Sequence, residues 1–157
     1  MNAMKVCIVG YGRMGHEIEQ VLLDRGHSVV SRIDPADSLG DTNTLSPSLL
    51  KSADVAIEFS LGGAVADNLA AYCEAGLAAV IGSTGWDPEA IGAAEMVARG
   101  GIGCVYGSNY SIGAQLFLHI VEAAAGLINR VDEYDAMMWE SHHAGKKDSP
   151  SGTAKTL

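Results

Sequence analysis

The sequence predicts an α/β fold, a doubly wound parallel sheet with helices on its faces, followed by the beginning of an α+β unit. Three observations carry this prediction. From Lys5 to Gly107, short apolar runs rich in Val, Ile and Ala alternate with longer stretches of helical periodicity. The glycine-rich turn Gly10-Tyr11-Gly12-Arg13-Met14-Gly15 directly follows the first of those runs. After Gly107 the pattern changes: Ile112, Leu116, Ile120, Val121 and Leu127 sit at helical spacing between Ser111 and Ile128.

The strand candidates are Lys5 to Val9, Ser28 to Ile33, Val55 to Phe59, Ala78 to Ile81 and Gly103 to Tyr106. The first helix should open in the glycine turn and close near Arg25-Gly26. Ser46 before Pro47, and Asp87 before Pro88 and Glu89, put a capping oxygen ahead of a proline at the first helical position, so a helix is expected after each. Asp34 to Pro47 is polar, holds two prolines and a glycine, and reads as a loop over the sheet's rim. Beyond the long helix, Val131 to Glu140 looks like one extended strand, and a helix should begin near Ser151. A lone strand leaves its backbone groups unpaired, so the chain is expected to be the front part of a longer protein.

At 157 residues the chain can bury one ordinary core and at most a small second unit. The formal net charge of −9 leaves no basic face for nucleic acid or anionic membranes, and an acidic ligand would have to be met by local charge. Cys7, Cys73 and Cys104 are odd in number and lack metal or redox spacing, which suits reduced thiols and a cytoplasmic location. The first apolar run is too short for a signal peptide or membrane span.

Strand, glycine turn and helix together form a dinucleotide fingerprint, so the first unit is expected to be Rossmann-like. Gly10 turns the chain, Gly12 lets the backbone approach a pyrophosphate, and Gly15 permits tight helix packing. Asp34, nineteen residues after Gly15, can accept hydrogen bonds from a ribose diol and would repel a 2′-phosphate. Arg13 and Arg32 pull the other way, because a guanidinium could accept that phosphate, although Arg32 reads equally well as an exposed surface arginine. NADH is therefore the expected cofactor, with NADPH tolerated. Glu58-Phe59-Ser60 and Gly82-Ser83-Thr84-Gly85 also follow strands, where ligands of open α/β sheets bind.

The densest chemistry lies in ESHHAGKKDSPSGTA, Glu140 to Ala154. Histidines such as His142 and His143 can take up or give a proton, Lys146 can donate a proton or hold a carboxylate, and Ser151-Gly152-Thr153 can offer backbone N–H groups to an anion. Taken singly, tandem histidines are ordinary surface residues and a PSGT turn an ordinary helix cap; their joint spacing describes a site for an acidic small molecule. A zinc site from His142, His143 and Asp148 is not expected, since adjacent residues on an extended strand point to opposite faces. Trp86, Trp139 and Met137-Met138 read as packing residues.

The glycine turn, EFS, GSTG, Gly107-Ser108-Asn109-Tyr110-Ser111 and the histidine-to-PSGTA motif occur in this order along the whole chain. So ordered, the chain resembles the dihydrodipicolinate (4-hydroxy-tetrahydrodipicolinate) reductases. The histidine-to-PSGTA motif is the specific part of the likeness. The resemblance implies a dinucleotide-binding domain over residues 1–108 and an incomplete substrate-binding and catalytic domain over 109–157. It implies reduction of a cyclic dicarboxylate with NADH or NADPH in the diaminopimelate route to lysine, by a protein that is longer and typically tetrameric. His142 and Lys146 would be the catalytic acid pair, and His143, Lys146, Gly152 and Thr153 would hold the substrate's carboxylates. Gly10, Gly12, Arg13, Met14, Gly15 and Asp34 would take the cofactor, with Phe59 and Ser60 near a ribose. Gly82, Ser83, Thr84, Ser108, Asn109 and Tyr110 would line the nicotinamide side. The family commonly has Asp-Phe-Thr where this chain has Glu58-Phe59-Ser60, and Gly-Thr-Thr-Gly where it has Gly82-Ser83-Thr84-Gly85; hydroxyl and glycines are kept. Ser149 stands for the usual alanine before Pro150. The alternative expectation is a module that binds dinucleotide and turns nothing over.

Overall fold

The computed structural model describes residues 2–35, 40–145 and 149–157, with the backbone alone at Lys155. It divides into two compact units, Met1–Gly107 and Ser108–Leu157. The first holds a five-stranded, all-parallel sheet of β1 (Lys5–Val9), β2 (Ser28–Ile33), β3 (Val55–Glu58), β4 (Ala78–Ile81) and β5 (Cys104–Tyr106) in the order β2-β1-β3-β4-β5. The chain leaves β1 to build one neighbour and returns to build the other. A crevice therefore opens beyond the carboxyl ends of β1 and β3, where an open α/β sheet takes its ligands.

β1 is central and its alternate side chains feed two cores. Cys7 and Val9 pack with Leu50, Val65, Leu69, Tyr72 and Ile81 on the face covered by α2 (Pro47–Leu50), α3 (Val65–Ala75) and α4 (Ala93–Gly100). Val6 and Ile8 pack on the other with Tyr11 and with Ile18 and Leu22 of α1 (Arg13–Asp24). Beyond the exposed Lys5, polar residues in β1 would find no water on either side, which is why the strand continues as VCIV.

Most element ends follow their local chemistry. α1 closes at Gly26, φ 77°, where the Gly26 and His27 amides reach back to the Leu23 and Leu22 carbonyls. α3 closes the same way at Gly76, φ 67°. The Asp87 signal behaves differently from expectation. Its carboxylate does accept from the Glu89 and Ala90 amides, at 2.9 and 3.1 Å, but the turn it starts is broken at Gly92, φ 64°. Only then does α4 begin, because a left-handed residue cannot continue the helix that Asp87 initiates.

The second unit holds α5 (Ile112–Ile128) and the short α6 (Gly152–Thr156), each capped by a serine: Ser111 Oγ accepts from the Ala114 amide and Ser151 Oγ from the Ala154 amide. The strand expected over Val131 to Glu140 is absent. The chain leaves α5 through turns that bond Val131 to Ile128 and Tyr134 to Val131, and no described strand lies beside it. Extended residues make a strand only when a neighbour pairs their backbone groups.

Candidate active site

In the first unit, a cleft of about 470 Å³ lies at the carboxyl ends of β1, β2 and β3. Gly10, Gly12, Asp34, Phe59 and Ser60, all expected from the sequence to bind cofactor, line it together with Asn68 of α3. The glycines earn their positions by contact. Gly10 has φ +88°, and a Cβ there would stand 2.4 Å from the Phe59 carbonyl group. At Gly15 a Cβ would meet the Gly10 carbonyl oxygen at 2.6 Å, so the turn and α1 close on each other. A Cβ at Gly12 would meet nothing within 4 Å, which leaves its backbone approachable. Asp34 Oδ2 accepts from the Tyr11 amide at 2.8 Å and so ties the end of β2 to the glycine turn.

The loop after β4 is seated by a second glycine contact, since a Cβ at Gly82 would overlap the Phe59 ring at 2.3 Å. Trp86, expected only to pack, donates its indole N–H to the Ser83 carbonyl at 2.9 Å and meets Tyr106 edge to face. A Cβ at Gly62 would press on the Thr84 and Gly85 carbonyl oxygens at 2.5 Å. Ser83 is buried, and its Oγ finds no hydrogen-bond partner among the described residues. A buried hydroxyl without a partner is costly unless something else completes it. That hydroxyl, the open face of Gly12 and the Asp34 carboxylate suit the hydroxyls and phosphates of a dinucleotide.

Arg32 is not a loose surface arginine. Its Nε lies 3.0 Å from both carboxylate oxygens of Glu19, its Nη2 also pairs with Glu19, and its Nη1 lies 3.2 Å from Asp41. Tyr11 Oη donates to the same Glu19, and the guanidinium sits 5.8 Å from the centre of the Tyr11 ring. The pairing holds the Glu19 carboxyl below its ordinary value through the Arg32 hydrogen bonds, against the opposing effect of burial. Two carboxylates already neutralise this guanidinium. Neither Glu19 nor Asp41 stands out in the sequence, because the interaction crosses from α1 to β2 and to the loop beyond.

In the second unit, Glu140 organises the motif loop. Its Oε2 lies 2.9 Å from His142 Nε2, and its Oε1 accepts from the Ser151 amide at 2.9 Å. These bonds, His142 first and Ser151 next, bring its carboxyl down to about 2. One carboxylate thus joins the histidine to the turn that leads into Gly152 and Thr153, both exposed. His143 Nδ1 accepts from the Gly145 amide at 3.2 Å, which puts the ring's proton on Nε2 in its neutral form. Lys146, expected as a catalytic and substrate-binding residue, lies outside the described residues, as does Asp148. Asn109 Oδ1 accepts from the Ser111 amide at 2.8 Å and its backbone carbonyl from Gln115, so Asn109 orders the start of α5. Ser108 and Tyr110 flank it and are exposed.

Among the described residues, no three His, Cys, Asp or Glu side chains gather as a metal site would require. No helix there is long and apolar enough to cross a membrane.

Comparison with known proteins agrees with this architecture. Residues 4–110 match the family model for the N-terminus of dihydrodipicolinate reductase, and residues 113–157 match the model for its C-terminus. The chain is 34% identical over 154 residues to a 4-hydroxy-tetrahydrodipicolinate reductase of Christiangramia forsetii, covering 98% of this chain and 62% of that protein. It is 37% identical over 159 residues to the enzyme of the same name from Natronomonas pharaonis, covering 98% and 63%. It thus spans a little over three fifths of the length of these curated relatives. A dipicolinate-bound dihydrodipicolinate reductase from Paenisporosarcina sp. TG-14 superposes with a TM-score of 0.72 at 24% identity, covering 99% of this chain and 64% of that one, and shares its fold. The chain belongs to the dihydrodipicolinate reductase family.

Proposed function

We propose that the protein to which this chain belongs reduces 4-hydroxy-tetrahydrodipicolinate to tetrahydrodipicolinate, with loss of water, in the diaminopimelate route to lysine. The observation that carries the reading is the Glu140 bridge, which joins His142 and the turn into Gly152 and Thr153 in one loop. The names of the relatives supply the substrate.

A reduced nicotinamide, when bound, supplies the hydride. The chain's own residues do the rest. The open backbone at Gly12 takes the pyrophosphate, Asp34 accepts from a ribose diol, and the Ser83 hydroxyl completes its hydrogen bonds on the nicotinamide side. Hydride arriving on the conjugated ring leaves negative charge, which a proton from His142 or Lys146 quenches. Glu140 sets the orientation of the His142 ring. His143, Lys146 and the Gly152 and Thr153 amides hold the two carboxylates. NADH is preferred over NADPH: Asp34 opposes a 2′-phosphate, and Arg32 is engaged by Glu19 and Asp41.

The test is turnover of the cyclic substrate with NADH beside a calorimetric NADH titration of the chain. Turnover abolished by the double change His142→Ala and Lys146→Ala supports the reading. Normal turnover by that variant refutes the catalytic assignment, and tight NADH binding with no turnover by the unaltered chain favours a binding module.

A further inference from the structure

Glu58, at the end of β3, is fully buried beneath the cleft wall and has no part in the chemistry above. Three donors converge on its two oxygens. Ser60 Oγ and Asn68 Nδ2, the latter at 2.8 Å, donate to Oε1, and Tyr72 Oη donates to Oε2 at 2.8 Å. This is the donor set of a carboxylate, which accepts and cannot donate. Ser60 and Asn68 both line the cleft, Ser60 from the loop after β3 and Asn68 from α3.

The hydrogen inventory has a consequence for whatever the cleft binds. A serine hydroxyl has one hydrogen. At Ser60 it is spent inward, on Glu58, the weaker alternative being the Leu61 carbonyl at 3.4 Å. What remains toward the cleft is a pair of lone pairs. The Asn68 amide nitrogen is likewise turned to Glu58, which turns its carbonyl oxygen away from that carboxylate. We infer that Glu58 is a positioning residue that makes Ser60 an acceptor toward the cleft, selective for neutral hydrogen-bond donors of the nucleoside and against phosphate.

This inference rests on the dinucleotide reading and sharpens it. The cleft gains a polarity: backbone N–H groups at the glycine turn for the phosphates, and acceptors at Ser60 for hydroxyl or amine hydrogens. A negative carboxylate directly behind Ser60 reinforces the choice.

The test is NADH titration of the full chain by fluorescence. Ser60→Ala removes the acceptor while leaving Glu58 to Asn68 and Tyr72, and should raise the NADH dissociation constant about three- to tenfold, the worth of one neutral hydrogen bond. Ser60→Thr keeps the hydroxyl and should lose less affinity than Ser60→Ala. Glu58→Met keeps the volume and frees the Ser60 hydrogen to rotate, so it should weaken binding, and adding Ser60→Ala to it should cost less than Ser60→Ala alone. Glu58→Gln offers its amide oxygen to Ser60 and Asn68 and should restore affinity, a rescue that a purely space-filling role would not require. Additive losses, or failure of Glu58→Gln to restore binding in a folded chain, overturn the inference. If Glu58→Met does not fold, the Ser60 pair decides: Ser60→Ala binding NADH as tightly as the unaltered chain overturns it. Absence of NADH binding by the unaltered chain would overturn the dinucleotide reading itself, and this inference with it.

Discussion

Alanine at Gly10 and alanine at Gly12 should fail in opposite ways, although the two glycines are two residues apart in one turn. At Gly10 the backbone has φ +88°, where an L side chain costs about 1–2 kcal/mol. The new methyl would also sit 2.4 Å from the Phe59 carbonyl carbon and oxygen and 2.5 Å from the Ser60 nitrogen. All three are backbone atoms at the end of a buried strand, so they cannot step aside as a side chain would. Overpacking of this kind adds about 1–3 kcal/mol. Together the two effects remove about 2–5 kcal/mol from a stability that is ordinarily about 5–15 kcal/mol. At Gly12, by contrast, φ is −79° and a Cβ meets nothing within 4 Å. The loss there is the difference between glycine and alanine at a helix N-cap, about 1 kcal/mol or less. The methyl does fill the space that a pyrophosphate would occupy. Urea unfolding followed by far-UV circular dichroism should therefore show Gly10→Ala strongly shifted and Gly12→Ala nearly unchanged. NADH titration of Gly12→Ala should show affinity lowered at least about tenfold, equivalent to about 1.4 kcal/mol. Gly12→Ala binding NADH normally would mean that the open face of the turn is not the phosphate site. An unshifted Gly10→Ala would mean that the turn does not pack against Phe59 as described.

Three further outcomes are expected. Because Glu140 is held at about 2, its bridge is complete above the ordinary glutamate value and lost as pH falls toward 2. The Ser151 amide resonance should titrate with a midpoint near 2, and a midpoint above 4 would refute the bridge. Burial pushes Glu58 the other way, above its ordinary value, so only between the unfolded and the folded value does the folded chain keep a proton that the unfolded chain releases; above that window Glu58 is the carboxylate on which three donors converge. Its contribution to stability is complete below the unfolded value and falls as pH rises through the folded one; Glu58→Gln should remove that slope from urea midpoints measured across the window. Trp86→Phe deletes the bond to the Ser83 carbonyl and should cost about 0.5–1.5 kcal/mol in the same unfolding assay, with faster exchange of the Gly82–Gly85 amides.

The legible part of this protein was whatever a few neighbouring residues decide. Five strands could be read from apolar runs that match a two-faced core, α5 from apolar residues at helical spacing, and α6 from its start at Ser151. Val131 to Glu140 has strand-like residues yet forms none, because pairing is supplied by another segment and not by the residues themselves. The turn begun at Asp87 stopped early because Gly92 prefers a left-handed backbone over continuing the helix. In the candidate site, His142, His143, Ser151 and the glycine turn are conspicuous by type and spacing. The residues that order the neighbouring loops are not: Glu140 reads as one more acid, Trp86 as packing, and Glu58 as the end of a strand.

By itself, then, the sequence determined the five strands, the glycine turn that follows the first of them, the long helix after Gly107, and the family. Those follow from local backbone sterics, side-chain period and capping, which act over a few residues. Only the tertiary structure decided that Arg32 is engaged by Glu19 and Asp41, that Ser83 is buried without a partner, and that Glu58 collects donors from its own loop and from α3. Those depend on which distant groups meet in a space that excludes water, and hydrogen bonds and charges acquire their weight only there.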